Sequence, residues 1–460
     1  MNERIAIAGA SGFVGQALWQ NLSDSYELRG LSRSIRASDP RWVRGDLFSY
    51  RDTRRFLDGV HTAVYLVHSM LPRAALAQGG FRDFDVWLAD NFARAAKDAG
   101  VKQIIYLGGL IPPKASAGEE ELSAHLESRL EVESCLRAYG IPVTVLRAGL
   151  IVGKGGSSLE IMLRLVERLP VMICPGWTAT LSQPIDLASV VEALRRAIED
   201  ASLRGRTFDI GGDEQITYRR MLEITAEVMG HHRLFLPIPL FSPGLSRLWV
   251  SLITGAPRNL AAPLVMSLRH EMLCRNDARL KLSNLLSFRE AVKAAVQIKQ
   301  GRENPRAYQH EATDIGPRVV SVQRMVLPTS IDVSQIMPLY CQLLGLISFG
   351  LVRGFNDTVA KRFSIVWNFP RQSLLEFDEG IVTADRVVFR IRGGFLSAGE
   401  RGKFEFRILP EGRGLLAVVD GFEPRLPWWI YRFTQAIMHL LVMRAFAYQL
   451  KHQKNKAASF

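Results

Sequence analysis

Along the first part of the chain, short apolar runs alternate with longer stretches of helical period. The runs are Arg4–Ala8, Tyr26–Leu31, Ala63–Val67, Gln103–Leu107 and Val143–Arg147, and the helical stretches include Val14–Leu22 and Asp85–Ala99. Strands joined by helical crossovers predict an α/β domain with a doubly wound parallel sheet. Runs that are apolar at nearly every position fit strands covered by helices on both faces. After Arg147 the alternation loosens. Residues 150–299 carry further helices, with a strand, turn and helix over Gly205–Gly230. Residues 300–318 are polar and aperiodic and predict a linker. From residue 319 the pattern is that of strands: Val319–Leu327, then Ser364–Asn368, Gln372–Phe377, Asp385–Ile391, Gly402–Ile408 and Gly414–Val419. An apolar stretch, Ile336–Val352, lies among them, and a long helix over Trp428–Lys451 follows. This predicts a smaller α+β domain over 319–460, an antiparallel sheet closed by a C-terminal helix.

A chain of 460 residues suits more than one core. Its net charge of +13 points to an anionic partner, either a phosphate-bearing cofactor or an acidic lipid surface. No nucleic-acid recognition module is present to absorb that charge. Cys135, Cys174, Cys274 and Cys341 form no C-x-x-C pair, which predicts a reducing compartment rather than a disulfide framework or thiolate metal site. A strand begins within the first few residues and leaves no room for a signal peptide. A cytoplasmic protein is expected, with peripheral contact to an anionic membrane as an extension of that reading. Ile336–Val352 contains Pro338, Gly345 and Gly350 and falls short of the roughly 20 residues that span a bilayer. The C-terminal helix holds Arg432 and Arg444. Inserting each would cost about 2.5–3.5 kcal/mol, so the helix is expected to pack on the sheet, with a membrane surface as the alternative.

The strongest chemical signal is Gly9-Ala10-Ser11-Gly12-Phe13-Val14-Gly15, between the first strand and the first helix. Gly9 permits a tight turn, Gly12 lets backbone approach a pyrophosphate, and Gly15 lets the helix pack closely. The helix N-terminus offers free N–H groups to phosphate. At the end of the second strand an NAD site usually carries a carboxylate. Here the chain reads Ser32-Arg33-Ser34, with Arg36 nearby, and Arg33 suits a 2′-phosphate. NADP is therefore expected, with NAD the alternative. Asp46 and Leu47 are expected to border the adenine. Leu66, Val67 and His68, continuing into Ser69 and Met70, are expected to run past the cofactor toward its nicotinamide.

The order GASGFVG, LSRS, GDL, VYLVHSM, YLGGL, HLESRLEVE and TVLRAG resembles the atypical and extended short-chain dehydrogenase/reductases, especially the NmrA-like branch and the Rossmann subunit of respiratory complex I. SQPIDLASVVEAL and GRTFDIGG with TYRRML are similar to the substrate-side part of extended members. The resemblance covers residues 1 to about 300 and implies a Rossmann-type NAD(P)-binding domain over 1–299, with substrate-side segments at 150–299. It also implies a catalytic Tyr and Lys one helical turn apart and a Ser at a neighbouring strand end. This chain departs there: His125 stands at the Tyr position, Arg129 at the Lys position and Gly108-Gly109 at the Ser position. The C-terminal unit looks like an uncharacterised domain that follows this Rossmann type in bacterial proteins. A START/polyketide-cyclase-like helix-grip fold, with a cavity for a hydrophobic ligand, is what that likeness implies.

His125 and Arg129 lie i, i+4 on one helix face. A histidine, with an ordinary pKa near 6.5, can serve as acid or base without a lysine; Arg129 can hold ribose hydroxyls but moves no proton. Two functions follow. One is an NADP(H)-dependent oxidoreductase acting on a hydrophobic carbonyl, quinone or lipid-like substrate through His125. The other is a non-catalytic NAD(P)(H)-binding redox sensor or assembly protein. Tyr65 and Tyr106 read as core residues, Arg147 as a structural ion pair, and the apolar residues of 235–275 as core or substrate-pocket lining. His231-His232 and His270-Glu271 lack metal-ligand spacing, and no G-x-S-x-G elbow supports hydrolase chemistry.

Overall fold

The computed structural model describes residues 3–33, 39–68, 74–112, 121–238, 267–300, 318–328, 331–412 and 414–457. Ser34, Arg36, Ser69, Met70, most of the linker and most of the apolar 235–275 segment lie outside them. The chain forms two compact units. The first comprises 1–71 and 85–311, the second 72–84 and 312–460. The second unit therefore takes in a short segment of the N-terminal half, which the sequence pattern assigned wholly to the first.

In the first unit the order begins β1 (Arg4–Ala8), α1 (Phe13–Leu22), β2 (Glu27–Ser32), β3 (Trp42–Arg44), α2 (Tyr50–Phe56) and β4 (Thr62–Tyr65). After β5 (Leu76–Gln78) come α3 (Phe81–Ala99), β6 (Gln103–Gly109), α4 (Ala124–Arg137) and β7 (Val143–Ala148). Its sheet has seven strands in the order β3-β2-β1-β4-β6-β7 and then Thr207–Ile210. Every neighbouring pair is parallel, and order reverses at β1, which places the ligand crevice beyond the carboxyl end of that strand. The apolar runs predicted this because their side chains are buried on both faces: Ile5, Ala6, Ile7, Val64 and Ile105 are fully inaccessible. The amphipathic helix Leu187–Glu199 closes one face with Val190, Leu194 and Ala197.

The second unit is an eight-stranded sheet. Its order is Val352–Asp357, Arg362–Asn368, Arg371–Val382, Arg386–Gly393, Lys403–Ile408, Leu415–Phe422, Val319–Met325 and β5. The first seven strands are antiparallel to their neighbours. The segment borrowed from the N-terminal half, β5, joins in parallel beside Val319–Met325. The expected long C-terminal helix is two, Trp428–Phe433 and Gln435–Ala457, broken at Thr434. The longer one buries Ala436, Met443, Phe446 and Leu450 in the core. It packs on the sheet, as expected. Aromatic rings cluster in the core of this unit. Tyr340, from helix Val333–Ile347, sits 5.4 Å from Phe406 and 5.3 Å from Phe446, with Phe363 and Phe404 at 6.3 and 5.7 Å. Among the described residues no helix is long and apolar enough to cross a membrane.

Candidate active site

The glycine turn is built as its spacing requires. Gly9 has φ +89°, and a Cβ there would meet the Leu66 carbonyl oxygen at 3.0 Å, so both conformation and space demand glycine. The Gly12 N–H closes the turn onto the Gly9 carbonyl at 2.9 Å. Gly12 is also the N-cap of α1 and supplies no side-chain cap. The first amides of the helix are thus left to an outside acceptor, beside the exposed Ser11 and Gly12. This arrangement fits a pyrophosphate. Gly15 departs from expectation in detail: a Cβ would lie 2.1 Å from the Gly9 oxygen, so it brings the helix against the turn itself rather than the sheet. Ala10 is buried and Val14 packs on the core. The Phe13 ring covers a second glycine loop, since Cβ atoms at Gly153 or Gly156 would meet it at 3.1 Å.

Ser32 ends β2 half-buried and Arg33 follows it exposed. No carboxylate occupies either position. On the adjacent loop Asp46 Oδ1 accepts from the Phe48 N–H at 3.2 Å. Asn91 of α3 donates to the Leu47 and Phe48 carbonyls at 3.2 and 3.0 Å. These contacts pin the backbone of the predicted adenine border. Leu66 and Val67 continue from β4 half-buried.

Beyond Val67 the chain places His68 against a group that the sequence reasoning missed. His68 Nδ1 lies 3.0 Å from Oδ2 of Asp85, a carboxylate only 2% exposed. A carboxylate only accepts, so the proton of a neutral His68 sits on Nδ1 and the Nε2 lone pair faces away. That Nε2 is buried and has no hydrogen-bond partner among the described residues. Ser128 Oγ donates to the same Asp85 oxygen at 3.3 Å. The signal was present in α3. Asp85, Leu88, Ala89, Phe92 and Ala96 share one buried stripe, and a carboxylate in an apolar stripe requires a partner.

His125 stands in the first turn of α4, capped by Ser123, whose Oγ accepts from the Leu126 N–H at 3.4 Å. Its ring meets the His68 ring edge to face, centroids 5.2 Å apart. Burial lowers the His125 pKa well below the ordinary 6.5, and the Arg129 guanidinium and His68 add to this. The helix N-terminus works in the same direction. Burial also lowers His68; Arg129 adds to it, and the bond to Asp85 opposes it. Both imidazoles are therefore neutral at pH 7. Gly109 leaves room where the resemblance implies a serine: a Cβ would rest 3.6 Å from Arg129 Cγ, an ordinary contact. A Cβ on Gly108 would press on the Tyr106 ring at 3.1 Å.

Tyr65 and Tyr106 are buried in the sheet, and burial raises both pKa values. They are core residues, as their strand positions suggested. Arg147 pairs with Glu133 at 2.8 Å, the structural role expected of it. His231 and His232 follow helix Tyr218–Val228, and His270 is buried. The four cysteines are free thiols.

Comparison with known proteins places this architecture. Residues 5–211 match the NAD dependent epimerase/dehydratase family. Sanguinarine reductase of Eschscholzia californica is 25% identical over 255 residues, covering 45% of this chain and 88% of that protein. The auxiliary protein GraX of Staphylococcus aureus is 25% identical over 189 residues, covering 39% of this chain and 55% of that protein, so the match spans little more than half of GraX. Among solved structures, triphenylmethane reductase of Citrobacter sp., complexed with NADP(H), superposes with a TM-score of 0.51 at 18% identity. It covers 63% of this chain and 99% of the reductase. An NADPH-dependent quinone oxidoreductase of Escherichia coli gives 0.50 at 18% identity, over 63% and 98%. At that identity the likeness establishes the fold. Residues 5–211 thus match the NAD dependent epimerase/dehydratase family model, on a Rossmann-type fold shared with these two solved structures.

Proposed function

We propose that this protein is an NADP(H)-dependent oxidoreductase that reduces a hydrophobic carbonyl or quinone, with His125 as proton donor. The observation that carries this reading is the buried His68–His125 pair, with Arg129 and Asp85 beside it, in the unit that holds the glycine turn. When bound, a reduced nicotinamide supplies the hydride. The turn from Gly9 to Gly15 holds the pyrophosphate on the first amides of α1. Arg33 takes the 2′-phosphate, Asp46 and Leu47 flank the adenine, and Leu66 and Val67 border the path to the nicotinamide. His125 gives its proton to the substrate oxygen as negative charge develops there. Arg129 stabilises that charge, and Asp85 offsets the positive charge on a protonated His125. The likeness to sanguinarine reductase accords with reductive chemistry.

A second reading is a protein that binds NADP(H) without turnover. Its support is that the Tyr, Lys and Ser of the family are replaced and that both histidines are held neutral. Calorimetry with NADPH, NADP, NADH and NAD, with Arg33→Ala alongside, tests the cofactor. NADPH binding weakened about tenfold or more in the variant, with NADH little changed, supports NADP. NADPH consumption with a panel of quinones and carbonyls, lost in His125→Ala, supports the enzyme. Tight binding with no consumption supports the second reading, and no binding to any of the four overturns both.

A further inference from the structure

We propose that the second unit carries a docking surface for an anionic lipid bilayer, formed by the turn after helix Val333–Ile347 and the turn between strands Arg362–Asn368 and Arg371–Val382. The apolar side chains there face water. Phe349 is 96% exposed, Phe369 86%, Leu346 71% and Leu351 47%. The two turns form one edge because Asn368 ties them together. Its N–H donates to the Leu351 carbonyl at 2.7 Å, and its Nδ2 donates to the Gly350 carbonyl at 2.5 Å. Trp367 Nε1 donates to the Phe369 carbonyl at 2.6 Å, bracing the second tip.

Phe349 is the informative residue. It has φ +51°, in the left-handed region where a helix C-terminus usually places glycine. A phenylalanine there carries backbone strain and, being exposed, gains no packing in return. Four hydrogen bonds hold that geometry: Phe349 N–H to Leu346 O, Gly350 N–H to Gly345 O, Leu351 N–H to Ser348 O and Val352 N–H to Ser348 Oγ. A fixed, outward aromatic at a strained position is a feature that stability alone does not favour.

Charge identifies the occupant. Arg353 and Arg371 flank the apolar tips, both exposed, and neither forms an ion pair among the described residues. The whole chain carries +13. Aromatic and aliphatic tips rimmed by unpaired arginines match the acyl–headgroup boundary of an anionic bilayer. A two-fold contact with a second copy would set the same arginines near their own symmetry mates, which disfavours that occupant.

The test uses the full chain in co-sedimentation with vesicles of phosphatidylcholine alone or mixed with phosphatidylglycerol. Binding is expected to the mixed vesicles only, falling as salt rises. Phe349→Gly relieves the left-handed strain, so it folds at least as well as the parent, as its thermal midpoint checks. Combined with Phe369→Ser it should lower partitioning about tenfold or more. Arg353→Glu with Arg371→Glu should do the same through charge, about tenfold or more. No sedimentation, equal sedimentation with neutral vesicles, or full binding by these variants overturns the proposal. Self-association of the parent that Phe349→Gly abolishes, without lipid binding, also overturns it and assigns the surface to a second copy.

Discussion

His68 and His125 meet edge to face with ring centroids 5.2 Å apart, although one follows β4 and the other opens α4. The contact makes each ring part of the other's electrostatic surroundings. Burial, Arg129 and His68 together lower the His125 pKa. The imidazolium that donates a proton is thus a minor species at neutrality, and its share grows as pH falls. Carbonyl reduction should accelerate from neutrality toward acid and level off below the lowered pKa of His125. His125→Ala should slow it by about 100-fold or more while leaving NADPH affinity nearly unchanged. A rate independent of pH through this range, or full activity in the variant, would remove His125 from the chemistry.

Asp85 opposes that depression at His68, through the hydrogen bond and through its charge. Asp85→Asn keeps the shape and removes the charge. The His68 pKa should fall further in that variant, as seen by proton NMR titration of its Cε1–H. Turnover should drop while NADPH binding persists. An unmoved His68 titration would show that the carboxylate does not govern this ring.

The two glycines of the cofactor turn should fail in different ways. At Gly15 an added Cβ would sit 2.1 Å from the Gly9 oxygen, so Gly15→Ala must displace α1, at a cost of about 1–3 kcal/mol or more. At Gly12 the added carbon meets the same oxygen at 3.1 Å, which a small shift relieves. Gly12→Ala should keep the urea midpoint near that of the parent yet bind NADPH at least about tenfold more weakly, because the methyl occupies the phosphate approach. Equal affinity in Gly12→Ala would mean the phosphates lie elsewhere.

The parallel sheet was legible because its strands announce themselves: Arg4–Ala8 was read to the residue, and glycine spacing located the turn. Short or unremarkable elements were not. Trp42–Arg44 and Leu76–Gln78 have three residues each, too few for a period to register. The second owes its strand state to the distant Val319–Ser321 beside which it pairs. His125 and Arg129 were found through the family resemblance, as the residues at its Tyr and Lys positions. Asp85 was passed over although it interrupts an apolar stripe, because its reason for being there, His68, lies on another element. Local pattern reports which face is buried; it is silent on which buried polar groups from separate elements will meet.

A third histidine links the second unit to pH. His439, on helix Gln435–Ala457, lies within hydrogen-bond reach of Ser321 Oγ, its Nε2 3.1 Å away. Burial pushes its pKa from 6.5 down to about 4. The unfolded chain therefore binds a proton at this residue near pH 6.5, whereas the folded chain resists it until about pH 4. Between those values the unfolded state holds more protons, so stability falls as pH falls. The depression corresponds to about 3 kcal/mol, absent near neutrality and fully expressed below about pH 4. His68 and His125, also lowered, act in the same direction in the first unit. His439→Gln retains a polar partner for Ser321 and removes the titration. Urea unfolding between neutrality and about pH 4 should show a steep loss in the parent and a shallower one in the variant. Parallel slopes would mean that the acid sensitivity of this unit in that range arises elsewhere, and not from the buried Glu405–Arg407 pair. Burial raises the Glu405 pKa and Arg407 lowers it, for a net fall to about 2, so that pair would add its own loss only at lower pH.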